Sequence, residues 1–256
     1  MVAKKKAAKK KVAKKKAAKK KAAKKKAAKK KATIDWYEDA MQAREEALAE
    51  AFGPTSPPDQ VIMPTDASLR ELSPGFALLR FAPNEQQSFW LYVTHGVSQP
   101  QREEDAHKDA DLGSEFAIAA PDDAPWPVAM LSVLASYAMN SGRPIRVHDR
   151  LPASDLMQDS PGGALLVLAD PGLPTEFSTR RGSFELRVTL GVTAQEAQRA
   201  RKMPGRDGSA VLEAVLADLE AGCVTDRDRA DLTRTPAFKR AWTRHRKRLS
   251  VQPNED

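Results

Sequence analysis

Residues 76–100 read FALLRFAPNEQQSFWLYVTHGVSQP. Two runs inside this stretch, Phe76–Phe81 and Phe89–Thr94, are dense in aromatic and aliphatic residues and are predicted to be strands. A third strand is expected at Glu115–Ala119. The acidic segment between them, Glu103–Asp111, reads as a solvated loop. Its His107 lies among Glu103, Glu104, Asp105, Asp109 and Asp111, but the spacing lacks the glycine turn of a calcium loop. Farther along, Ala164–Ala169 is a continuous apolar run expected to form a buried strand, and Ile145–His148 a short one. Ser183–Leu190 alternates, which places Phe184, Leu186, Val188 and Leu190 on one side of a strand.

Helices are expected before, between and after these strands. Asp35 and Glu38 have capping-box spacing, and Tyr37, Met41, Leu48 and Phe52 follow at helical intervals until Gly53-Pro54. Residues 53–68 hold four prolines and read as a connection. Pro125–Asn140 is the most apolar helix, with Val128, Leu131, Leu134 and Ala135 on one face and Gly142 as its stop. Thr193 and Glu196 form a second capping box for a helix reaching about Lys202. Ala210–Leu219 and Pro236–Leu249 complete the set, the last with Phe238, Trp242, His245 and Leu249 along one stripe. Strands and helices mix without strict alternation, so the fold class expected is α+β. Trp90, Tyr92 and Trp126 are read as core aromatics.

Charge divides the chain. Among the 256 residues, Lys+Arg number 42 and Asp+Glu 34, a net of +8. The segment 1–31 holds 18 of the lysines and no acid, so the rest carries 24 basic against 34 acidic residues, a net of −10. The lysines come in triplets: Lys4, Lys5, Lys6; Lys9, Lys10, Lys11; Lys14, Lys15, Lys16; Lys19, Lys20, Lys21; Lys24, Lys25, Lys26; and Lys29, Lys30, Lys31. A five-residue period would wrap lysines around every side of a helix, and their repulsion should keep the free tail unfolded. These lysines are the candidate nucleic-acid-binding residues, because neutralising phosphates releases condensed counterions without any base preference. An acidic membrane surface, or the chain's own acidic body, would satisfy the same charge. The tail resembles those of linker histones and histone-like bacterial proteins. A second basic cluster, Lys239, Arg240, Arg244, Arg246, Lys247 and Arg248, reads as an amphipathic helix whose cations complement its own C-terminal dipole, with a second phosphate contact as the functional alternative.

Several functional classes find no support. Cys223 is the only cysteine, which excludes an internal disulfide and a thiolate metal cluster; it is expected to be a buried structural thiol. No apolar run approaches the roughly 20 residues of a membrane span. The basic N-terminus lacks the apolar region of a signal peptide, so a cytoplasmic location is expected, with nucleoid association following from the tail. The histidines His95, His107, His148 and His245 are scattered without zinc-helix spacing. Serine-nucleophile, Walker and dinucleotide fingerprints are missing, and Gly162-Gly163 reads as a turn. No catalytic residue, metal ligand or cofactor is therefore assigned.

The stretch Leu78-Leu79-Arg80-Phe81-Ala82-Pro83, continued by Phe89-Trp90-Leu91-Tyr92-Val93-Thr94-His95-Gly96-Val97-Ser98-Gln99-Pro100, resembles the bacterial suppressor-of-fused-like domain. That family shows an Arg-Phe-Pro strand and then a Trp-x-Tyr-x-Thr-x-Gly-Met-Ser strand and turn. Trp126-Pro127, Leu131, Leu134-Ala135 and Tyr137 are similar to its apolar helix, and His148 to the histidine of its glycine-histidine strand. Leu165–Asp170 and Gly191-Val192-Thr193 with Glu196 are similar to its later strand and helix start. The departures are Val97 for methionine, Val147 for glycine, and the lysine tail itself. The resemblance implies a central mixed sheet flanked by helices and protein binding without catalysis. Animal members sequester a zinc-finger transcription factor, and bacterial members are commonly assigned to toxin–immunity systems.

The organisation expected is a disordered tail at 1–32, a helix and linker at 33–57, the suppressor-of-fused-like domain at 58–222 and a basic helical extension at 223–256. The function expected is a protein-binding module, its partner a basic toxin or similar protein, tethered to nucleic acid by the tail. The alternative is a histone-like nucleoid protein in which the tail is the working part.

Overall fold

The computed structural model describes residues 36–55, 76–98, 113–141, 143–153 and 163–250, together with Lys19. Its frame is a seven-stranded mixed sheet. Strands β1 (Ala77–Phe81), β2 (Trp90–His95) and β3 (Ser114–Ala120) form an antiparallel meander, with Leu79 opposite Val93 and Tyr92 opposite Ile118. The long strand β7 (Gly182–Val192) runs parallel to β3, with Ala117 opposite Val188. On its other edge β7 pairs with β6 (Glu176–Thr179) near its start and with β5 (Ala164–Val167) near its end. β4 (Arg150–Pro152) pairs with β5 and completes the order β1-β2-β3-β7-β5-β4.

Strand alternation sorts the side chains into two cores. Phe76, Leu78, Tyr92, Phe116, Ile118, Leu165 and Val167 face one way and pack against α2 (Trp126–Ser141). Leu79, Phe81, Leu91, Val93, Ala117, Leu166 and the β7 series Phe184 to Val192 face the other way. The second core is closed by helix α1 (residues 36–52), α3 (Ala194–Arg201), α4 (Asp207–Asp218) and α5 (Pro236–Leu249). Leu48 and Phe52 from α1, and Phe238 and Trp242 from α5, are buried there among the sheet residues.

The caps follow local chemistry. Thr193 and Glu196 form the expected capping box at α3. Thr235 caps α5, whose bounds are those expected, with Pro236 at its first position. α3 and α4 approach so closely that a Cβ on Gly208 would lie 1.9 Å from the Ala200 carbonyl oxygen.

The structure corrects three readings. Ile145–His148 is not a strand: Asp149 accepts the Arg146 amide at 2.8 Å and its own amide returns to the Arg146 carbonyl at 3.0 Å, a turn that leaves His148 at φ 65°. The strand follows this turn, as β4. The apolar run Ala164–Ala169 is strand only to Val167: the Leu168 amide still reaches the Val188 carbonyl at 3.0 Å, but the Ala169 and Asp170 amides turn onto the Glu213 carboxylate. β6 was not anticipated, since four residues with exposed Glu176 are too short for alternation to register. Asp35, Gly142, Gly162, residues 56–75, and the acidic loop with His107 lie outside the described residues.

Candidate functional site

The lysines expected to bind nucleic acid lie outside the described residues, except Lys19, which is exposed. The described histidines are held apart. His148 pairs with Glu213 at 2.8 Å, His245 with Asp218 at 2.5 Å, and His95 is buried at the end of β2. Cys223 is buried, and burial raises its thiol pKa, as befits a structural thiol. Among the described residues no group of three or more His, Cys, Asp or Glu side chains could hold a metal ion.

The centre of polar organisation is Glu115, a fully buried carboxylate followed by the apolar run Phe116–Ala120 of β3. Arg44 of α1, equally buried, donates Nη1 to its Oε1 at 3.0 Å. The Thr94 hydroxyl donates to Oε2 at 2.6 Å and the Ser98 hydroxyl to Oε1 at 2.5 Å. The amides of Gly96, Val97 and Ser98 add bonds of 3.0, 3.3 and 3.2 Å. Three successive N–H groups can converge on one anion because Gly96, at φ 102°, folds the chain back where a Cβ would be strained. This geometry explains why threonine, glycine and serine stand at those spacings at the end of β2 and in the turn after it: they hold the turn, and they do so through a residue 17 to 21 positions away. His95 shares this setting, and burial presses its pKa down to about 4, with Glu115 opposing and Arg44 assisting.

A second cluster fixes the start of α2. Arg80 reaches both oxygens of Asp123, at 3.0 and 2.8 Å, and lies over the Trp90 ring at 5.2 Å. Tyr92 donates its hydroxyl to Asp123 at 2.6 Å and accepts the Ala124 amide at 3.0 Å. Tyr92 is core, as expected, and burial together with the Asp123 bond raises its phenol pKa. The helix thus anchored contains no charged residue over its 16 positions. Leu131, Leu134 and Ala135 are buried beneath it, while Val133 and Tyr137, one turn apart on its outer face, are 64% and 47% exposed. They are the exposed large hydrophobic side chains among the described residues. Tyr137 also edges a cavity of about 250 Å³ shared with Arg143, Pro144, Ile145, Asp149 and Arg150. An uncharged outer face on a rigid helix is chemistry suited to a protein contact, where aromatic anchors in a desolvated patch carry most of the binding. Sequence reading placed the buried stripe of this helix correctly but missed its outer face. The signal available was the lack of any charge opposite that stripe.

Among the described residues no helix is long and apolar enough to cross a membrane. The family model described as suppressor of fused protein (SUFU) matches residues 73–230. No curated protein sequence matches the chain at a significant level. Among solved structures, a SUFU homologue from Neisseria gonorrhoeae aligns at 17% identity and a TM-score of 0.54, over 77% of this chain and 97% of that one. A chain from a Sufu–Fu complex aligns at 17% identity and a TM-score of 0.56, over 84% and 98% respectively. Drosophila Suppressor of Fused gives 17% and 0.50, over 69% of this chain and 46% of that one. At such identities the likeness is one of fold, and it agrees with the mixed sheet and flanking helices described above. With the family model matching more than half of its residues, the chain belongs to the suppressor of fused protein family.

Proposed function

We propose that the chain is a non-enzymatic protein-binding module held on nucleic acid by its Lys/Ala-repeat tail, residues 1–32. The binding domain is residues 58–222, with 33–57 and 223–256 as its helical flanks. The observation that carries the reading is the uncharged outer face of α2, where Val133 and Tyr137 stand exposed on a helix fixed to the sheet. A related SUFU chain was crystallised in a Sufu–Fu complex, which supports a protein partner. The net charge of −10 outside the tail favours a basic partner by electrostatic steering. A nuclease-type toxin has that chemistry, and the module would then act as its immunity protein beside the nucleic acid. The direct test compares wild-type chain with Val133→Ser/Tyr137→Ser: the basic partner bound by the former should be lost from the latter while DNA binding is unchanged. Equal capture by both would overturn the assignment of this face.

The composition of the tail favours a second reading, a histone-like nucleoid protein in which the tail does the work. Deleting residues 1–32 separates the two. Partner binding survives the deletion under the first reading, and all activity is lost under the second.

A further inference from the structure

Several guanidinium groups of the described residues meet a carboxylate. Arg44 meets Glu115, Arg80 meets Asp123, Arg180 meets Asp39 and Glu46, Arg206 meets Asp149, Arg229 meets Glu196, and Arg244 meets Asp218. One surface is poor in acids, although Arg244 of α5 meets Asp218 at its edge. α5 contains no acidic residue, and the only acid of α3, Glu196, is buried against Arg229. What α3 and α5 turn outward is Gln195, Gln198, Arg199, Lys202, Lys239 and Arg240, all exposed. Between the two helices lies a cavity of about 300 Å³ lined by the cations Arg199, Lys202 and Lys239, by Gln195 and Gln198, and by Thr233 and Phe238. The Thr233 hydroxyl already donates to Asp231 at 2.6 Å, so the cations and glutamines are the donors the cavity offers. Arg199 is held in place over the Trp242 ring at 5.2 Å.

We infer that this groove between α3 and α5 binds the phosphodiester backbone of nucleic acid, giving the folded domain its own phosphate contacts beside those of the tail. Cations with glutamine amides are side chains that grip phosphate oxygens without reading sequence. The groove rests on the nucleic-acid reading above and extends it to residues far from the tail. A membrane surface fits less well. An interfacial helix needs an apolar face to insert, and the apolar side chains of α5, Phe238, Ala241 and Trp242, are buried in the core. The exposed Val133 and Tyr137 belong to α2, which covers the opposite face of the sheet.

The test uses the full-length chain and a 30-base-pair duplex of random sequence, titrated across salt concentrations. Lys202→Gln/Lys239→Gln removes two exposed cations that make no ion pair among the described residues. Losing two phosphate contacts should make the slope of log K against log salt shallower by about 1.8. Binding at 0.1 M salt then weakens roughly 60-fold if the two proteins converge at 1 M. A second full-length variant replaces the 18 tail lysines by glutamine. It should keep weak, salt-sensitive binding that the groove substitutions then abolish. If the tail variant binds like wild type while the groove variant is impaired, the groove stands and the tail tether falls. If the groove variant keeps the wild-type slope and affinity, the inference is overturned whatever the tail does. Binding to anionic phosphatidylserine vesicles in place of the duplex overturns it in favour of a membrane.

Discussion

Arg44 and Glu115, 71 residues apart in sequence, form a 3.0 Å ion pair with both side chains wholly out of solvent. The pair ties α1 to β3 and, through the other bonds that the Glu115 carboxylate accepts, to the turn after β2. Removing one partner strands the other charge in the interior. Arg44→Met should therefore destabilise the protein by about 3–5 kcal/mol, a large share of a typical domain's stability. Replacing both partners, Arg44→Met with Glu115→Met, would leave the Gly96–Ser98 amides without their acceptor, so it should not restore wild-type stability. Urea denaturation of the two single variants and the double variant checks this.

His95 predicts a pH dependence. Its imidazole is 7% exposed, and its pKa falls from 6.5 to about 4 through burial. Below pH 6.5 the unfolded chain binds a proton that the folded chain refuses, so stability declines as pH falls from about 6.5 towards 4. The full effect is on the order of 3 kcal/mol, from about 1.36 kcal/mol per pKa unit. In His95→Leu that portion of the dependence should vanish. Thermal melts of both proteins at intervals between pH 7 and pH 4 measure it, and parallel curves would contradict the assignment.

Gly208 is predicted to tolerate no side chain. Alanine would place its Cβ against the Ala200 carbonyl, backbone against backbone, with no flexible group to yield. Gly208→Ala should cost about 1–3 kcal/mol despite alanine's better helix propensity, as read from the shift in denaturation midpoint.

Val133→Ser and Tyr137→Ser should change stability by no more than about 1 kcal/mol each, because Val133 is largely exposed and Tyr137 about half so. Partner affinity should fall more than tenfold, roughly the loss of one aromatic anchor. Calorimetry on the isolated variants and binding to the captured partner separate the two effects.

Much of the fold was legible because sheet packing writes itself into local sequence. The β7 series Phe184, Leu186, Val188 and Leu190 alternates as a half-buried strand must, and all four side chains are buried in one core. Thr193 and Glu196 stand three residues apart and cap as that spacing dictates. The polar centre was not legible: Glu115 is one acid in an apolar run, and Arg44 looks like any helical arginine until the fold joins them. The groove between α3 and α5 escaped for the same reason, since Arg199 and Lys239 share it only through tertiary packing. The outer face of α2 was legible in principle, as a helix without a charge.

We propose that the lysine tail tethers this SUFU-family domain to nucleic acid, and one titration tests it. The measurement is a salt-dependent DNA titration of the full chain against a chain beginning at Thr33. With about ten lysines engaged, the full chain should bind with a slope near −9, and the shortened chain should lose most of that affinity and steepness. Equal, weak binding by both would contradict the tether and leave protein binding as the whole function of the molecule.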